Sequence, residues 1–289
     1  VGLYLLRSIL VSVLLAGFAA SASAVTFRAD IDDSRWDLEA SRFNCTLSQA
    51  VPKFGKAVFF REAGEKVVFS LEPTQKDAVV GVATLVAEAS PWQPGMQPEM
   101  IGSIQADAGS GALKVASSQA RHMLTALYRG MMPTFTSNSW YGTREPVRVG
   151  ISSANFQSAY DDYMGCVSNL LPVNYRQIAR TAVLFPSAHF VLSDATRARL
   201  DLIVEYVKTD TTVNKVYVDG HSDSLGRRLL NRDLSKRRAE TVSGYLNRQG
   251  IDEEMIVTRY HGERYPVVKN NSKANRARNR RVTIRLERE

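Results

Sequence analysis

Asp223 and Arg238 stand fifteen positions apart in the stretch VYVDGHSDSLGRRLLNRDLSKRRA, which runs from Val216 to Ala239. The aspartate lies just beyond a strand-like run, Val216 to Val218. The arginine lies about one turn into the helix expected after Gly226. Leu234, Arg238 and Val242 recur every four residues, with Tyr245 next, so Arg238 falls on the apolar stripe of its own helix. A guanidinium on a core-facing stripe is costly unless a carboxylate meets it. Asp223 is the first candidate partner, and Asp219, at the strand end, is the second. Two chemistries fit this pair. One is an internal salt bridge that pins helix to sheet. The other is a clamp, in which Arg238 takes a ligand carboxylate through two parallel N–H donors and Asp223 takes a ligand ammonium. Spacing alone leaves the two open.

The elements that must position the pair can be read around it. Thr181 to Phe185 reads as a buried strand. Ser193 caps a helix whose Leu200, Ile203, Val204 and Val207 form a core stripe. Val213 to Val218 is a strand, Leu234 to Asn247 a helix stopped by Gly250, and Met255 to Tyr260 a strand. A last strand alternates Val282, Ile284 and Leu286 with polar residues. Strands alternating with helices predict an α/β sandwich of βαβαβ type with a mixed sheet over residues 170–289, entered through Leu170-Leu171-Pro172-Val173.

Residues 25–169 predict a β-rich domain with one or two helices. Val67, Phe69 and Leu71 share a face, and so do Val80, Val82, Thr84 and Val86. A helix capped by Ser118 carries Ala120, Met123, Leu124 and Leu127 at core spacing and ends at Gly130. A second helix, Asn155 to Cys166, carries Phe156, Tyr160 and Tyr163. No catalytic spacing occurs in this part, and protein docking is its expected work.

The chain has 289 residues, long enough for two sizeable cores, and a formal charge of +8. The surplus is concentrated: from Asp201 onward there are 19 Lys and Arg against 13 Asp and Glu. Such a surface suits an acidic partner. Nucleic acid is not expected, because residues 1–24 read as a cleavable signal peptide. Arg7 precedes an apolar run, Ile9 to Ala20, and Ala22-Ser23-Ala24 is a small-x-small site. Val25 rather than Cys follows it, against a lipid anchor. Cys45 and Cys166 are the two cysteines, and an even count in an exported chain reads as one disulfide, two separate thiols being the alternative. The histidines are scattered, and no metal or cofactor is expected. His221-Ser222-Asp223 are adjacent, and adjacent residues do not converge as a hydrolytic triad does. An enzyme, for instance a hydrolase, is therefore the weakest reading.

GHSD (220–223), Asn231, LSKRRA (234–239) and NRRV (279–282) occur in that order, and they resemble the OmpA-like peptidoglycan-binding domain. The resemblance implies that Asp223 and Arg238 hold the ammonium and carboxylate of diaminopimelate in the stem peptide. It implies that Asn231 and Leu234 line the same groove. His221 is expected to support the loop, and the basic run Arg276 to Arg281 to be a solvated rim. The β-rich first part, the cysteine pair and HGERYP (261–266) resemble the MotY family of sodium-type flagellar motor proteins. That implies a non-enzymatic periplasmic component of the flagellar basal body, with MotX, the basal body and the stator complex as partners. A general envelope tether is the alternative.

Overall fold

The computed structural model describes residues 24–143 and 145–289. The expected signal peptide lies, but for Ala24, outside the described residues. The first part contains strands β1 (Val25–Phe27), β2 (Trp36–Ala40), β3 (Asn44–Val51), β4 (Gly55–Glu62), β5 (Val68–Pro73), β6 (Val82–Ala89), β7 (Glu99–Gln105) and β8 (Leu113–Val115). Helix α1 (Ser117–Tyr128), β9 (Met131–Ser137), β10 (Val147–Gly150) and helix α2 (Phe156–Ser168) complete it. Two five-stranded sheets result, in the orders β1-β10-β9-β6-β7 and β2-β3-β4-β5-β8. Leu47, Phe59, Phe69, Leu71, Leu85 and Phe135 are buried in the core of this part, and the Phe69 and Phe135 rings stack at 5.9 Å.

Both expected helices form. Ala120, Met123, Leu124 and Leu127 are buried on α1, and Phe156 and Tyr163 on α2. Ser118 does not cap α1. The helix begins two residues earlier, with Ala116 as its N-cap, and that N-cap has no side-chain bond. On β6, Val82, Thr84 and Val86 share a face, as expected, and it is the less buried of the two. Ala83, Leu85 and Ala87 are buried, while Val80 and Val82 are about half exposed, at 49% and 53%. The sequence there is apolar on both faces, so alternation of valines cannot say which face meets the core. Cys45 on β3 and Cys166 on α2 form a disulfide, with Cα atoms 6.1 Å apart. It ties the last helix of this part to its second sheet.

The second part contains a short helix α3 (Tyr175–Ile178), β11 (Arg180–Leu184), α4 (Asp194–Thr209) and β12 (Val213–Gly220). It continues with α5 (Arg228–Arg248), β13 (Ile256–Tyr260), α6 (Lys273–Asn279) and β14 (Arg281–Arg288). The sheet order is β11-β14-β12-β13. It is mixed: β12 runs parallel to β13 and antiparallel to β14, as expected for the α/β part. Ser193 caps α4 by accepting from the Thr196 N–H. Leu200, Ile203, Val204 and Val207 of α4 pack with Val216, Val218, Val242, Leu246, Val282 and Ile284. β11 is an edge strand with alternating burial rather than a fully buried one, because only one face of the sheet is covered.

The joining segment is packed, not free. Leu171 and Val173 are buried in the second core, and the Leu171 N–H donates to the Arg42 carbonyl at 2.9 Å. Across the seam, Arg42 pairs with Glu205 at 3.0 Å, and Asn174 donates to the Ala63 carbonyl at 3.2 Å.

A pocket at the end of the second sheet

Helix α5 lies unusually close to the end of β12, and the GHSD glycine allows it. A Cβ on Gly220 would stand 2.1 Å from the Ser235 carbonyl oxygen and 3.0 Å from the Ala239 Cβ. The small residues of GHSD and LSKRRA are therefore the two sides of one contact. This close approach brings the first turns of α5 beside the loop that follows β12.

Arg238 points inward and is 0% exposed. Its partners are not carboxylates. Nε donates to the His189 carbonyl at 2.8 Å, Nη2 to that of Pro186 at 2.9 Å, and Nη1 to that of His221 at 3.2 Å. Of the two chemistries that spacing left open, the internal salt bridge between Arg238 and Asp223 does not form. The loop after β11 folds over the guanidinium and offers carbonyls, so the cation is satisfied by dipoles. Burial, together with the nearby Arg280 charge, lowers its pKa to about 10, which leaves it charged at neutral pH. Its ring-facing side also lies over Phe185 at 5.3 Å.

Asp223 is instead paired with Arg280. Nη1 of Arg280 donates to Oδ2 at 2.9 Å, and the Leu225 N–H donates to Oδ1 at 3.1 Å. Arg280 also donates through Nε to the Phe185 carbonyl at 3.1 Å. The basic run is thus not simply a solvated rim. Arg280 walls the pocket, and Arg281 is buried. Helix α6 ends at Asn279, whose 0% exposed amide binds the Val267 N–H and the Val268 carbonyl. That anchor aims Arg280 at Asp223. NRRV was visible in the sequence, but only the antiparallel β11–β14 pairing places Arg280 beside Phe185 and the end of β12.

All four expected residues line one pocket of about 200 Å³: Asp223, Asn231, Leu234 and Arg238, joined by Arg280 and Ser222. Asn231 is buried and donates to Glu263 Oε2 at 2.7 Å; Glu263 is the second residue that spacing did not suggest. Leu234 is half-buried. The Ser222 hydroxyl is buried, with no hydrogen-bond partner among the described residues. Asp219, the second candidate for Arg238, belongs elsewhere. It accepts from Arg259 at 2.7 and 2.9 Å and lies 2.8 Å from His261 Nε2. Burial pushes the Asp219 carboxyl up, but these partners outweigh it and hold it below the usual carboxylate range. His221 supports the loop, as expected: its carbonyl takes Arg238 and its N–H donates to the Arg281 carbonyl at 2.9 Å. Among the described residues there is no cluster of three or more groups fit to hold a metal ion.

The residues that line this pocket all lie within 184–280, the stretch that the OmpA family matches. The MotY N-terminal domain family matches residues 27–172, half of the chain, and the chain belongs to the MotY family. It is 29% identical over 282 residues to the sodium-type flagellar protein MotY of Vibrio parahaemolyticus, covering 96% of each chain. It is 39% identical over 72 residues to the outer-membrane lipoprotein YfiB of Pseudomonas aeruginosa, 25% of this chain and 43% of that one. Among solved structures, it is similar to the peptidoglycan-associated lipoprotein from Burkholderia pseudomallei. There the identity is 24% and the TM-score 0.35, over 37% of this chain and 89% of that one. As a MotY-family chain it is a periplasmic, structural protein of the flagellum and not an enzyme.

Proposed function

We propose that the pocket holds the diaminopimelate side chain of the peptidoglycan stem peptide, non-covalently. The observation that carries this reading is the convergence of Asp223, Asn231, Leu234 and Arg238 on one cavity. The ligand ammonium meets Asp223 on the lone pairs left by Arg280 and the Leu225 N–H. Arg238 offers the ligand carboxylate a fixed positive charge from the floor. Three of its roughly five N–H donors are engaged by carbonyls, so two remain. The unpartnered Ser222 hydroxyl adds a further donor or acceptor.

The disulfide-locked first part docks onto the flagellar basal body and a MotX-type partner. The second part holds the wall, and the two together fix stator units around the motor. The packed seam between the two parts suits this work, since a load on one is passed to the other. The domain limits proposed for this division of labour are 25–169 and 170–289. A single muropeptide contact is weak, and holding strength comes from many copies arranged around one structure. The test is a deletion strain. Loss of motility with an intact envelope, and recovery of basal-body components with the purified protein, is the expected result. A motile strain with a blebbing envelope would make the protein a general envelope tether instead.

A further inference from the structure

The C-terminal sheet has a second basic surface, on the face that α4 and α5 leave open. Its cavity measures about 410 Å³ and shares no lining residue with the Asp223 pocket. Four arginines line it: Arg180, Arg259, Arg281 and Arg285. Arg259 is neutralised by Asp219 through two bonds. The other three are not balanced in that way. Arg180 on β11 and Arg285 on β14 occupy directly paired positions of the antiparallel ladder. Like charges directly opposite one another destabilise a sheet. Arg285 meets only Glu287, at 3.3 Å, in a pair more than one third exposed. Arg180 has no ion pair among the described residues. Arg281, 7% exposed, is held by the carbonyls of Tyr265 at 3.1 Å and Asn279 at 3.5 Å, without a carboxylate.

The surface is also organised. Tyr217 lies between two guanidiniums, 4.1 Å from that of Arg285 and 4.8 Å from that of Arg259, which restrains both. His221, 6% exposed, lines the same cavity, and its Nδ1 has no partner among the described residues. A fold that opposes two arginines across a ladder, and buries a third behind no carboxylate, gives up stability that an anion would restore. Planar guanidinium forks match the oxygens of a phosphate group.

We propose that this open sheet face is an oxyanion site, taking a phosphate or phosphate-ester group between Arg180 and Arg285. Arg281 supplies a further buried charge, and Tyr217 holds Arg285 in place.

The test uses the full chain at constant ionic strength, with Arg180→Gln, Arg285→Gln and the double variant. Two probes are compared by calorimetry and co-sedimentation: inorganic pyrophosphate, and vesicles of phosphatidylglycerol against phosphatidylcholine. Wild type should bind one pyrophosphate per chain or pellet with the anionic vesicles, and the double variant should bind at least tenfold more weakly. A response to pyrophosphate assigns a soluble phosphate, and a response to vesicles alone assigns a lipid headgroup. Pelleting with sacculi should be unchanged in the double variant. With no anion present, Arg180→Gln should melt no lower than wild type, because the substitution relieves repulsion. A wild type that responds to neither probe, or a double variant that binds like wild type, overturns the proposal.

Discussion

The Asp223 carboxylate and the Arg280 guanidinium, 57 residues apart in the chain, meet at 2.9 Å in the wall of the pocket. The pair is largely buried, with side-chain exposures of 8% and 14%. It places a negative charge where a ligand ammonium can reach it and keeps that charge compensated while the pocket is empty. A double-mutant cycle with Asp223→Ala and Arg280→Ala, measured by urea unfolding, should give a coupling of about 1–3 kcal/mol. Additive effects would mean that the two groups do not act as a pair.

Arg238 is a strut as well as a charge. Removing it strands the carbonyls of Pro186, His189 and His221 in a dry site. Arg238→Ala should destabilise the second part by roughly 3 kcal/mol or more. Arg238→Lys should keep the charge but lose the fork, with an intermediate effect. Denaturant unfolding followed by tryptophan-independent circular dichroism checks this. An Arg238→Ala protein as stable as wild type would contradict the assigned bonds.

The helix stripe, the core positions of α4 and the order of elements in the second part were legible from periodicity, and the four pocket residues followed from motif order. Arg238 was correctly placed on the buried face, but its partners were not, because backbone carbonyls of a distant loop leave no mark in side-chain spacing. Arg280 and Glu263 leave no mark in the spacing for a related reason: the pairing of β14 against β11 brings Arg280 to the pocket wall, and the turn after β13 brings Glu263 to Asn231. Which face of β6 meets the core is not legible from alternation, because Val82 and Val86 on one face and Ala83, Leu85 and Ala87 on the other are all apolar.

The disulfide closes a separation of 121 residues. By the chain-entropy relation, a loop of that length is worth about 4–5 kcal/mol. Reduction, or Cys45→Ser, should lower the unfolding temperature of the first part. It should leave isolated residues 171–289 folded. Calorimetry with and without reductant checks the first claim, and identical traces would contradict it.

Stability should also fall in mild acid through His221. Burial, then the Arg281 and His261 charges, pushes its imidazole down from 6.5 to about 4. The unfolded chain therefore takes up this proton first. The stabilising contribution is complete above about pH 6.5 and is lost as pH falls toward 4, amounting to at most about 3 kcal/mol. His221→Gln should flatten the slope of stability between those values. An unchanged slope would show that other groups set it.

The central claim is that the Asp223 pocket holds the wall. Its most direct test is co-sedimentation of purified Asp223→Asn with peptidoglycan sacculi, beside wild type, with circular dichroism to confirm the fold. The substitution keeps the shape and removes the charge, so binding should fall by roughly ten- to a hundredfold, about 1.5–3 kcal/mol. Free diaminopimelate should compete with wild type. A folded Asp223→Asn protein that pellets as wild type does would contradict the account.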